Sequence, residues 1–296
     1  MTKRDNPDSV ICPLGIATSF GVTFPTMRKL LIFLLLSYTT VTAAQQTCQQ
    51  LVPPLMEADG VNDSLSGFPE IVKQSTDAQL AKDPDLTADQ KASVDSALDR
   101  GINPQHLHSN IQQLLIQSCD AKAFGAVLQQ LQSPLSKKMR TEEAQASTPQ
   151  GAREMQDYVS NLPQHPPSGS RLQLLHELDA ATKGSDFYAD MIVAVSRAMA
   201  AGLSGHEPSK GELAELRSEV SQTASNQMIA MSVFIYRNVS DEELTQYVAM
   251  YKTAPFQTFN AALSKAFLQG ISEEMTHVGQ EIKKALDQQH KPTGKS

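Results

Sequence analysis

Residues 240–282 read SDEELTQYVAMYKTAPFQTFNAALSKAFLQGISEEMTHVGQEI, and the spacing of their apolar side chains decides the fold. Leu244, Tyr247, Val248 and Tyr251 recur at i, i+3, i+4 and i+7, which is one face of an α-helix. Beyond Pro255, Phe256, Phe259, Leu263, Phe267, Ile271, Met275, Val278 and Ile282 continue such a face. The second stripe predicts a helix about 40 Å long. Working outward, Phe187, Tyr188, Met191, Ile192, Val195 and Met199 form another stripe, and no sustained β alternation interrupts the chain. The pattern predicts an all-α protein with a long C-terminal helix and no significant β-sheet.

Helix starts are written locally. Ser240-x-x-Glu243, Thr87-x-x-Gln90, Ser209-x-x-Glu212 and Ser170-x-x-Gln173 all read as capping boxes, in which a hydroxyl accepts an orphan amide and the acid or amide reaches back. Asn103-Pro104 reads as a cap followed by proline at the first helical position. Pro134 and Pro255 lack the N–H that a helix interior needs, so each marks a break or restart.

Those two prolines point to an internal repeat. IQSCDAKAFGAVLQQLQSPLSKKM, ending at Met139, parallels the segment ending at Phe259 at an offset of 120. Phe124, Val127, Leu128 and Leu131 match Leu244, Tyr247, Val248 and Tyr251. The expected organisation is two related multi-helix units in a bundle or array, at 60–147 and 170–288. A Pro-rich linker at 148–169 holds a short helix near residues 153–162, and a frayed tail occupies 289–296. Nine of the twelve aromatic residues after position 44 fall at or beyond Phe187, so the second unit should hold the larger-volume core.

The N-terminal region reads differently. Arg28 and Lys29 precede LLIFLLL at 30–36, and Val41-Thr42-Ala43-Ala44 follows. A basic start, a short apolar run and small residues make residues 27–44 a secretory signal peptide. An uncleaved anchor or buried helix is the alternative, but seven apolar residues span only ~10 Å against a bilayer core of ~30 Å. Residues 1–26 read as a non-native extension before a start at Met27, or else as a genuine long n-region. Export to the periplasm, or secretion, follows. Residues 1–44 hold four Lys/Arg and two Asp/Glu, so the remaining 252 carry a net charge of −9. That balance disfavours nucleic acid as a partner. No stable membrane insertion is expected after cleavage. Cys48 and Cys119 remain, either paired as a disulfide or as two free thiols.

SDEELTQYVAMYKTAPFQTF, and LQSPLSKKM in the first unit, resemble the exported bacterial family called domain of unknown function 2059, in two divergent copies. The similarity covers about 25 residues per unit, and both copies depart from the family's usual glycine, with Ser136 in one and about Phe256 in the other. The resemblance implies an exported, all-helical protein and supplies no catalytic residue.

Chemistry-bearing patterns are sparse. There is no Gly-x-Ser-x-Gly elbow, no His-Glu-x-x-His and no Cys-x-x-Cys, so neither a catalytic residue, a metal site nor a cofactor is expected. Ser204-Gly205-His206 reads as a polar turn. His106 and His108 point in different directions on a helix and should flank a solvent-facing first turn. Asp241-Glu242-Glu243 and Glu273-Glu274 read as solvated charges. The remaining candidate is an aromatic stripe of Tyr236, Tyr247, Tyr251, Phe256 and Phe259, which is either ordinary core or the lining of a groove for a partner helix or apolar ligand. The leading expectation is a non-enzymatic envelope module that binds a protein or a small apolar ligand. The alternatives are a hydrolase with a site assembled from distant residues and a purely structural envelope protein.

Overall fold

A computed structural model describes residues 47–80 and 87–289. The expected signal peptide at 27–44, the expected extension at 1–26 and the residues from 290 lie outside the described residues. Among the described residues there is no β-strand, and the fold is all-α as the apolar spacing requires. The twelve helices among the described residues are α1 (47–59), α2 (Val61–Leu80), α3 (Ala88–Gly101), α4 (Pro104–Ser118), α5 (Ala121–Leu131), α6 (Pro134–Ala146), α7 (Pro149–Asn161), α8 (Gly169–Thr182), α9 (Gly184–Ser204), α10 (Lys210–Ile235), α11 (Asp241–Tyr251) and α12 (Ala254–Gln289). No described helix is long and apolar enough to cross a membrane.

Local caps set most boundaries. Thr87, Ser209 and Ser240 each form a complete capping box with the residue three positions on. Asn103 caps α4 and Ser133 caps α6, each with proline at the first helical position. The fourth expected box does not form. Ser168, not Ser170, caps α8 by accepting the Arg171 N–H, and the Gln173 side chain turns to Glu177 instead. The linker helix is also longer at its start than expected, because Thr148 caps it and Pro149 opens it.

The 36-residue α12 is the spine, packed by α3, α4, α5 and α9. One hydrophobic cluster joins α1–α5 to α9 and α12, and includes Leu107, Ile111, Phe124, Phe259 and Val278. Phe124 and Phe259 meet edge to face at 5.3 Å, so aromatic volume from the second half of the chain fills a core built by the first. A second cluster gathers Met139, Leu175, Val233, Tyr236, Leu244 and Tyr247 from α6, α8, α10 and α11. Neither cluster divides at the Pro-rich segment.

The α9–α12 contact is unusually close. A Cβ on Gly202 would lie 2.5 Å from the Thr276 carbonyl, and one on Gly279 2.9 Å from the Met199 carbonyl. The two backbones meet through small residues: Ala198 and Gly202 are buried, while Phe187, Met191, Val195 and Met199 of α9 are half-buried. Their free edges line clefts.

A covalent bond ties α1 down. Cys48 of α1 and Cys119, the C-cap of α4, form a disulfide with a Cα–Cα distance of 6.1 Å. Val52, Leu55 and Met56 then bury α1 against the first cluster.

Candidate functional site

The aromatic stripe does not form an open groove. Phe256 and Phe259 are buried in the first cluster, and Tyr236 and Tyr247 in the second. Periodicity identifies an apolar face but not what covers it, and here α6, α8 and α10 cover the tyrosines. Tyr251 lines a cleft.

Their hydroxyls converge on one acid. Glu143 of α6 accepts hydrogen bonds from the Tyr236 hydroxyl at 2.8 Å and the Tyr247 hydroxyl at 3.1 Å, and the Tyr247 and Tyr251 hydroxyls lie 3.3 Å apart. Burial first, and then the Glu143 charge, holds the Tyr236 phenol well above its ordinary range. Burial likewise raises Tyr247 and Tyr251. All three therefore act as neutral donors. Arg140, one turn before Glu143, donates from Nη1 to Glu143 at 3.0 Å and from Nη2 to Asp63 at 3.2 Å.

The cleft begins where this cluster ends. α1 stops at Asp59, and Gly60 turns the chain into α2 with a φ of +79°, a conformation natural to glycine. A side chain at position 60 would also strike the Arg140 guanidinium. The elbow presents Asp59 at a cleft of about 420 Å³. Leu65 and Phe68 of α2 form one wall, Phe187 and Met191 of α9 a second, and Leu263 and Phe267 of α12 a third, with the Tyr251 ring beside Asp59. Phe187 and Phe267 meet edge to face at 6.0 Å.

Asp59 is the chemically distinctive group. Burial pushes its carboxyl up to about 7, the Glu143 charge adds to the rise, and Arg140 opposes it. Perturbed acids in clefts often mark functional sites. Periodicity offered no sign of Asp59, although an Asp-Gly pair at a break between helical runs is a turn signal that could have drawn attention to it. No residue lining this cleft is His, Cys, Lys or Arg. A larger cleft of about 710 Å³ between α9, α10 and α12 is rimmed by Asp190, Arg197, Lys265 and Glu273, whose charges balance.

The other sequence candidates fall elsewhere. Ser204 and His206 close a polar turn through hydrogen bonds to each other, with the His206 N–H donating to the Ser204 hydroxyl. His106 is exposed, but His108 is half-buried and 2.9 Å from the Asn62 side chain. Glu273 is exposed, whereas Glu274, expected to be solvated, is buried. It faces the start of α4, a neighbour that the sequence does not disclose. Among the described residues, no three His, Cys, Asp or Glu side chains are grouped to hold a metal ion.

No protein-family model matches this chain, and neither a curated protein nor a solved structure matches it.

Proposed function

We propose that this chain is an exported, non-enzymatic helical module that binds a small, mainly apolar ligand in the cleft between α2, α9 and α12. One observation carries the reading. A packed all-helical fold keeps a cleft of about 420 Å³ lined mainly by aromatic and aliphatic side chains, with one carboxyl, the Tyr251 phenol and the neutral polar groups of Ser64, Thr182, Asn260 and Ser264. Ligand sites are typically apolar with a few polar groups that orient the ligand. The periplasmic assignment rests on the signal-peptide reading, and the Cys48–Cys119 disulfide accords with an oxidising compartment. Kinship with the domain of unknown function 2059 is proposed from the paired segments that resemble it.

Titration with diphenylhexatriene, a neutral apolar fluorophore, tests the reading. Saturable one-to-one binding, abolished by Leu263→Trp in a chain that retains its helical circular dichroism, is expected. Absence of saturable binding, or indifference to Leu263→Trp, would overturn it. The hydrolase alternative draws on the same Asp59, whose carboxyl near 7 suits acid–base work. Ester turnover lost in Asp59→Asn would favour that reading.

A further inference from the structure

The charges around the α1–α2 elbow do not balance. Asp59, Asp63 and Glu143 surround one guanidinium, Arg140. Arg140 is already committed, with Nη1 on Glu143 and Nη2 on Asp63. The Asp59 side chain makes no hydrogen bond among the described residues, and of these three acids it alone lines the cleft. The cleft lining contributes no cation of its own. Of the neutral hydroxyls in the lining, that of Tyr251 is engaged with Tyr247, that of Ser64 donates to the Gly60 carbonyl and that of Thr182 to the Leu178 carbonyl.

A half-buried carboxyl with no dedicated partner is held in an unfavourable setting, and a cation brought to it would relieve that. The remaining walls demand the opposite chemistry. Phe187, Leu263 and Phe267 present apolar surface with room for a short chain. The site thus joins one carboxyl to a mainly apolar lining, in which Asn260 and Ser264 are neutral polar groups.

We propose that the ligand is a single-chain aliphatic ammonium compound, with its cationic head on Asp59 and its tail between Phe187, Leu263 and Phe267. This deepens the ligand-binding reading and rests on it. The ammonium N–H groups donate to the Asp59 carboxylate, and the hydrocarbon leaves water against α9 and α12. A fatty acid would place its carboxylate beside three acids and be rejected.

The test uses three probes of equal chain length on the purified chain with its disulfide intact: octylamine, octanol and octanoate, each by calorimetry below micellar concentration. Octylamine is expected to bind about tenfold tighter than octanol, with octanoate weakest. Asp59→Asn, nearly isosteric, should bring octylamine to within about twofold of octanol and leave octanol unchanged. Equal binding of amine and alcohol by the unsubstituted chain, or an amine preference that survives Asp59→Asn, would overturn the cationic head and leave the cleft as a ligand site. If none of the three binds, or if Leu263→Trp leaves all binding intact, the cleft reading itself falls. The comparison of probes on the unsubstituted chain stands even where a variant folds poorly.

Discussion

Glu274 of α12 accepts the backbone N–H of Asn103 at 2.5 Å, across 171 residues of sequence. Asn103 is the N-cap of α4, and its own side chain accepts the His106 N–H at 3.0 Å. In an ordinary capping box the third residue of the helix would take the N-cap N–H. Here that position is His106, whose ring instead lies 2.9 Å from the Glu274 carboxylate. The reciprocal half of the box is supplied by another helix, and α12 is latched to the start of α4.

Removing that carboxylate should therefore destabilise the protein more than removing the histidine. Glu274→Ala leaves a buried donor unsatisfied and is expected to lower unfolding free energy by about 2–3 kcal/mol. His106→Ala, at a ring that is 63% exposed, should change it by less than about 1 kcal/mol. Urea denaturation of the two variants measures the difference, and equal effects would contradict the latch.

The close α9–α12 contact predicts opposite signs for the same substitution at two glycines. Gly202→Ala must push a Cβ to 2.5 Å from the Thr276 carbonyl, so backbone has to move, at about 1–3 kcal/mol. Gly125 lies inside α5, and a Cβ there meets nothing within 4 Å. Gly125→Ala should stabilise by about 0.5–1 kcal/mol through helix propensity. Thermal melts of the pair would reveal the two signs.

Asp59 links stability to pH. Its folded-state carboxyl titrates near 7, above the unfolded value of about 4, so the folded state binds the extra proton between those values. The contribution is complete below about pH 4 and is lost as pH rises through about 7. Its size is on the order of 2 kcal/mol, because the half-buried carboxyl keeps some solvent contact. Asp59→Asn should flatten this part of the stability–pH curve and raise stability at pH 8 relative to the unsubstituted chain. An unchanged slope in the variant would show that other groups produce it.

Reduction should affect both stability and the cleft. The Cys48–Cys119 bond closes a loop spanning 71 positions, worth about 4 kcal/mol on the chain-entropy account. It also anchors the helix whose last residue is Asp59. Cys48→Ser with Cys119→Ser should lower the urea midpoint and weaken octylamine binding together. A lower midpoint with unchanged binding would separate the disulfide from the cleft.

The sequence by itself determined the helices and most of their ends. Ser240, Ser209, Asn103 and Ser133 each cap a helix within one turn, so the N–H they accept is written three residues away, and Pro104 and Pro134 sit at the adjacent first helical position. It also marked which face of α11 and α12 is apolar. Only the tertiary structure decided what covers those faces. Tyr236 and Tyr247 are core because α6 brings Glu143 over their hydroxyls, from 93 and 104 positions away. Glu273 and Glu274 are adjacent and chemically alike, yet Glu273 meets the Asn110 side chain of α4 from an exposed position, whereas Glu274 is buried against the N-cap of α4. Asp59 gains its high proton affinity from burial and from Glu143, neither of which its sequence neighbours disclose. Helix formation is governed by hydrogen bonds between near neighbours, whereas burial and electrostatics depend on all the groups that packing brings within a few ångströms.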